Sequence, residues 1–249
     1  MRGIAGCMAV LFFGACISSR AQGGLPLVTD DTDTPGNGKR EVVAAVTSEL
    51  RHAGKRLFEA PLLDMNYGVG EHLELNGVVG WLVSANRNKA VVAGLSDATL
   101  GVKWRFLDEA EAPLAVSVFP KFTFNNPTSS VRRGLATNGQ ECFVPLEFQK
   151  TLDPLEVGLE AGPDFHFNTS NEWDYGIVIG RSFGKFELVG EIHGSALEFF
   201  RRDDLILNLG VRYQIREGCT LLLAAGRSIH DDGTAPVTLS SFVGIRFNF

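Results

Sequence analysis

The chain has 249 residues, 45% of them hydrophobic, 21% charged and 10% aromatic, with 28 Gly and 18 Phe. That composition excludes a disordered chain, and a net charge of −6 without any basic block argues against a nucleic-acid partner. No stretch beyond residue 21 is long and apolar enough for a membrane helix. Such a search is blind to transmembrane strands, which alternate between apolar and polar residues.

The first 21 residues read as a secretory signal. Arg2 supplies a positive start, Ile4 to Ile17 form a short apolar run, and Ser19-Arg20-Ala21 offers a cleavage site after Ala21. Phe13 to Cys16 loosely resemble a lipidation site without its usual leading Leu. Residues 22–39 form a polar leader holding Asp30, Asp31, Asp33, Pro35, Gly36 and Gly38, expected to be a solvated tail or a cation-binding patch.

From Arg40 to Phe249 the chain divides into about twelve strand-length segments with period-two patterning. They fall near 40–50, 58–67, 72–82, 95–107, 113–124, 140–151, 155–167, 172–183, 186–197, 204–215, 219–229 and 237–249. In the tenth, Leu205, Leu207, Leu209, Val211 and Tyr213 alternate with Ile206, Asn208, Gly210, Arg212 and Gln214. In the last, Val237, Leu239, Val243, Ile245, Phe247 and Phe249 share one face, and Phe242 interrupts the polar one. Leu221, Leu222 and Leu223 blur the eleventh. Tight connections near 68–71, 108–112, 152–154, 184–185 and 216–218 alternate with longer ones near 51–57, 83–94, 125–139, 168–171, 198–203 and 230–236.

Aromatics on the apolar faces collect at strand ends. Tyr67, Trp104, Phe106, Phe183, Tyr213, Phe247 and Phe249 lie beside the tight turns or the C-terminus, and Trp81, Phe122, Phe165, Phe167 and Trp173 beside the longer loops. Two such girdles around an aliphatic band are what the two lipid–water interfaces select. The reading is an all-β, transmembrane, antiparallel up-and-down barrel over residues 40–249, located in the bacterial outer membrane.

With apolar faces in lipid, the polar faces line a lumen. Its expected acids are Glu41, Glu49, Asp64, Glu74, Asp97, Glu147, Glu156, Glu160, Asp164, Asp174, Glu187 and Glu191, and its bases are Lys103, Arg105, Lys121, Arg212 and Arg246. His193 faces the same way. A charge toward lipid at mid-bilayer would cost about 2–4 kcal/mol. The lumen is either a water-filled pore or a plug of internal ion pairs. Arg132 and Arg133, in the loop that also holds Asn125 and Asn126, are candidates for a constriction. His193 and Ser195 share a strand face with Glu187 and Glu191, leaving an acyl hydrolase as an alternative. A non-conducting structural barrel is a third reading. Cys142 and Cys219 sit on strands expected not to be neighbours. His52, His72, His166 and His230 are too scattered to suggest a metal set, and no cofactor motif occurs.

Several stretches carry a family resemblance: LPLVTDDTDTPGNG (25–38), FEAPLLDMNYGVG (58–70), GVKWRFLDE (101–109), FNNPTSSVRRGL (124–135) and the GIRFNF end. Together they resemble a group of proteobacterial outer-membrane β-barrel transporters near the family named for the meta-pathway of phenol degradation. The terminal Phe249 on an amphipathic strand resembles the insertion signal of outer-membrane proteins. The resemblance implies a channel for small solutes, passive or weakly selective. Its partners would be outer-membrane lipid and lipopolysaccharide, the barrel-assembly machinery and small solutes.

Overall fold

A computed structural model describes residues 24–249 apart from 88, 125–127, 137–138, 198–200 and 233–235. The expected signal segment, Asn125 and Asn126 lie outside the described residues. The strands are β1 (Arg40–Arg51), β2 (Arg56–Val69), β3 (Leu73–Asn86), β4 (Lys89–Leu95), β5 (Ala98–Leu107), β6 (Ala115–Val118), β7 (Lys121–Phe124), β8 (Glu141–Phe143), β9 (Leu146–Leu152), β10 (Leu155–His166), β11 (Glu172–Phe183), β12 (Phe186–Leu197), β13 (Arg201–Arg216), β14 (Cys219–Asp231) and β15 (Val237–Asn248). Each pairs antiparallel with its neighbours. β1 pairs with β15 from Glu41↔Asn248 to Arg51↔Val237, closing the sheet on itself.

Two of the expected strands are interrupted and the fourth is extended backwards across a break, so twelve staves carry fifteen labels. The fourth breaks between β4 and β5 at Ser96-Asp97. The fifth breaks at Phe119-Pro120 and the sixth at Val144-Pro145. Proline has no N–H for the ladder, so a strand cannot run through it undisturbed. Bonds from Phe119 N–H to Pro145 C=O (3.2 Å), Val102 N–H to Pro120 C=O and Val144 N–H to Pro163 C=O (both 3.1 Å) carry the sheet across these breaks.

The chain ends and the tight turns share one rim. Gly184 (φ +62°) and Gly218 (φ +69°) adopt the left-handed conformation these short reversals need. On the opposite rim two connections are shorter than the sequence suggests. Only a 3-10 turn, His52–Gly54, joins β1 to β2. The expected loop 83–94 is mostly strand, because β3 runs to Asn86 and β4 starts at Lys89. The run Ala90-Val91-Val92-Ala93 has no alternation, which hides a strand from a period-two search.

The outer face is apolar. Leu209 is 64% exposed, Leu100 58% and Ile179 48%, whereas the inward Lys103 and Glu191 are each 2% exposed. A water-soluble protein inverts that order. The aromatic ends form the two expected belts: Trp104–Phe106 and Phe186–Tyr213 contacts at 5.5 and 4.6 Å on one rim, and Phe122–Phe167 at 6.4 Å on the other. Cys142 on β8 and Cys219 on β14 are free thiols on non-adjacent strands.

The register yields a first prediction. Leu209→Arg should cost about 2–4 kcal/mol by placing a guanidinium in lipid, whereas Gly158→Ser, whose Cβ has 3.7 Å to Val178, should be near neutral. Heat-modifiable gel mobility after refolding reads the difference, and equal tolerance at both positions would contradict the register.

Candidate functional site

The lumen is occupied by the chain's own leader. Residues 24–38 enter it ahead of β1 and cross it, so they are not a solvated tail. Thr32 is fully buried, Thr29 is 1% exposed and Leu27 3%. The leader turns on itself through Gly24 N–H to Thr29 C=O (2.8 Å) and Leu27 N–H to Gly24 C=O (3.1 Å). Its trailing end is held to β2 by Gly38 N–H to Gly68 C=O (2.9 Å).

The wall meets each chemical type of group on this segment. Backbone N–H groups of Val28 (2.9 Å) and Thr29 (2.8 Å) donate to the Glu191 carboxylate, and Asp30 N–H donates to Glu160 (3.3 Å). Thr32 donates from both its N–H and its hydroxyl to the Gln149 side-chain oxygen, and the Gln149 amide in turn donates to Glu156. The carboxylate of Asp30 bridges Lys103 (3.0 Å) and Lys121 (3.2 Å), and Asp33 pairs with Arg105 (3.0 Å). Leu25 C=O accepts from Arg212 and Arg246, both at 3.0 Å, while Gly24 C=O accepts from Arg212 at 2.8 Å. The ring of Phe119 lies under the ammonium groups of Lys103 (4.7 Å) and Lys121 (4.4 Å). Burial alone would raise the Asp30 carboxyl pKa, but the Lys103 and Lys121 charges hold it well below the usual range.

Apolar contacts complete the seat. Leu25 packs on Val43, Ala45, Leu222 and Phe242, and Leu27 clusters with Val178 and Val189. All six wall residues point inward, which accounts for Phe242 and Leu222 breaking the alternation. Inward glycines give the segment room. A Cβ at Gly176 would overlap Thr29, and one at Gly68 would overlap Gly36. Three cavities border the segment, one of about 370 Å³ running beside residues 24–28 along β1 and β15 and two larger ones on either side of it. Of the larger two, one, of about 480 Å³, lies toward the chain-terminal rim and is lined by Asp64, Glu74 and Asn76; the other, of about 410 Å³, lies toward the loop rim and is lined by Asp174, His193 and Ser195.

The expected lumen residues therefore divide. Lys103, Arg105, Lys121, Glu160, Glu191, Arg212 and Arg246 contact the segment directly. Glu147 accepts from Ser117 (2.5 Å) and faces Lys103 at 3.8 Å, and Glu187 pairs with Arg212 at 2.6 Å. Glu156 touches the segment only through Gln149. Asp174 and His193 border the loop-side cavity. Asp97 has a buried carboxylate oxygen between β4 and β5. Asp164 lies beside Glu141 and His166 near the loop rim.

Arg132 and Arg133 do not sit in the narrowed part. Both are exposed, Arg132 closing a short helix (Thr128–Arg132), and Arg133 donates from Nη1 to Ala93 C=O (2.5 Å) and from Nε to Ser129 C=O (3.1 Å). The Arg133 guanidinium caps a β4 carbonyl and lies against the inward face of Gly94 at the loop-side mouth, whereas residues 24–38 occupy the lumen itself. His193 and Ser195 share the inward face, but among the described residues no hydrogen bond joins them. Glu191 is engaged by the segment and by Asn208 (2.6 Å), and Glu187 by Arg212, so neither acid orients His193. Phe249 is 73% exposed at the seam, where its N–H and C=O pair with Arg40. The sequence pattern did not reveal the leader's position, nor the inward Ser117, Phe119 and Gln149.

No protein-family profile and no curated protein matches this sequence. Solved structures do match in fold. An outer membrane channel from Pseudomonas putida F1 superposes with a TM-score of 0.67 at 12% identity, covering 88% of this chain and 98% of the other. NanC porin gives 0.59 at 10% identity over 82% and 98%, and KdgM porin gives 0.55 at 13% identity over 83% and 99%. The chain thus has the closed antiparallel barrel fold found in outer-membrane porins and channels.

Proposed function

We propose that this chain is an outer-membrane channel for small solutes, passive and weakly selective for cations, and narrowed by residues 24–38. The observation that carries this reading is a charged, cavity-bearing lumen inside an apolar, aromatic-belted barrel. A barrel with a purely structural task needs no cavities lined by charged side chains such as Asp64, Glu74 and Asp174. The KdgM porin has also been solved with disordered oligogalacturonate, and small-solute passage in barrels of this fold supports the same role here. Lipid contact follows from the apolar belt, while lipopolysaccharide and the barrel-assembly machinery are proposed partners and Phe249 a proposed insertion signal. The narrower kinship with the meta-pathway family rests on the motifs at 25–38, 58–70, 101–109, 124–135 and the C-terminus. Acyl hydrolysis is disfavoured, because no hydrogen bond joins His193 to Ser195 among the described residues and Glu187 and Glu191, the acids on their strand face, are engaged elsewhere.

The test is a planar-bilayer measurement on refolded protein. Inward acids outnumber inward Lys and Arg, and Asp30, Asp31 and Asp33 add three more negative groups, so the potential in a confined lumen favours cations. Reversal potentials in a salt gradient should show cation preference. Anion preference would sink the selectivity, and absence of conductance in both the parent and a chain lacking residues 24–35 would sink the channel.

A further inference from the structure

We propose that Glu141, Asp164 and His166 form a binding site for a borderline divalent cation, best matched by Zn2+, at the loop-side mouth of the lumen. Asp164 and His166 are two residues apart on β10 and so share its inward face. The register sets Glu141 of β8 directly opposite His166. His166 Nδ1 stands 3.4 Å from Glu141 Oε1, and Nε2 stands 3.4 Å from Asp164 Oδ2. Donors each about 2.1 Å from a tetrahedral ion stand about 3.4 Å apart. One imidazole nitrogen and one oxygen of each carboxylate lie within 4.8 Å of one another. Only one imidazole nitrogen can bind the ion: the Nε2–Asp164 spacing matches directly, while Glu141, the most exposed of the three, stands at the Nδ1 edge and has to turn toward an ion held by Nε2.

Two further observations point to a cation. Asp164 Oδ1 and His166 Nε2 are buried atoms with no hydrogen-bond partner among the described residues, a costly state that a bound ion relieves. Glu172 lies directly opposite Asp164 in the β10–β11 register, and like charges facing each other across a ladder repel. Lys121, on the neighbouring β7, is engaged by Asp30 and Glu160 instead. An imidazole with two carboxylates suits first-row divalent ions better than Ca2+ or Mg2+, which favour all-oxygen shells. The ion would also tie β8 to β10, which share only three paired positions before Pro145.

The test is calorimetric titration of ZnCl2 into the untagged, refolded full chain after chelator treatment. Saturable one-to-one binding is expected in the parent. His166→Ala and Asp164→Asn should each weaken it roughly 10–100-fold or more, while His193→Ala should not change it. Glu141→Gln gives an independent reading if either variant fails to refold, as judged by heat-modifiable mobility. CaCl2 should not compete at equal concentration. Absence of saturable Zn2+ binding, binding that survives His166→Ala, or equal competition by Ca2+ would each overturn the site.

Discussion

Deleting residues 24–35 is expected to raise the single-channel conductance several-fold. The segment crosses the lumen between the two larger cavities, and its Thr29 and Thr32 are almost wholly buried against the wall. Current through the intact chain must pass around this strand of polypeptide, so removing it joins the cavities into one aqueous path. Gly36 and Gly38, which contact β2, remain in the shortened chain. Gly176→Leu reaches the same end by another route, because a side chain there overlaps Thr29 and forces the tip of the segment away. Both variants should conduct more than the parent in planar bilayers. If neither does, the ion path avoids the segment and residues 24–38 are not the constriction.

Lys103→Met should give the largest loss of stability among lumen variants. Its side chain is 2% exposed, and its ammonium pairs with Asp30 at 3.0 Å, donates to Asp31 C=O at 2.5 Å and faces Glu147 at 3.8 Å. Removing one member of a buried ion pair leaves the other charge uncompensated and costs about 3–5 kcal/mol. For a domain of this size that corresponds to a fall in melting temperature on the order of 10 °C. Much of the loss comes through Asp30, so it should shrink in the chain lacking residues 24–35, where that carboxylate is absent. Thermal melts of the parent, each single variant and the combination form a double-mutant cycle. Equal losses in the two backgrounds would show that Lys103 acts through the wall acids Glu147 and Glu74 and not through the leader.

The barrel was legible because its physics is periodic. Leu207 and Asn208 must point opposite ways in any strand, and lipid on one side sets which way. The aromatic belts fixed the ends. The leader was not legible, because it has no period and its acids look like solvent-facing charge. Its signature lay in the wall instead. Leu222 and Phe242 are apolar where the lumen should be polar, since they receive Leu25. Gly68 and Gly176 are empty where side chains should project, since the leader passes there. The breaks at Pro120 and Pro145 were missed, because alternation alone carries the expected strands 113–124 and 140–151 straight through both prolines. The grouping of His166 with Glu141 was hidden because a search by histidine spacing ignores acids contributed by a neighbouring strand. The position of Arg133 depends on β4 continuing through residues whose alternation is lost.

The seam between β1 and β15 joins residues from opposite ends of the chain, and such a junction bears the greatest loop-closure entropy of any pairing in the molecule. Leu25 packs against Val43 and Ala45 on one lip of that seam and Phe242 on the other, while Arg246 of β15 holds its carbonyl. The leader is therefore also a clasp. Its contacts with the two lips can exist together only when the seam is closed, so the same residues that occupy the lumen also stabilise its closure.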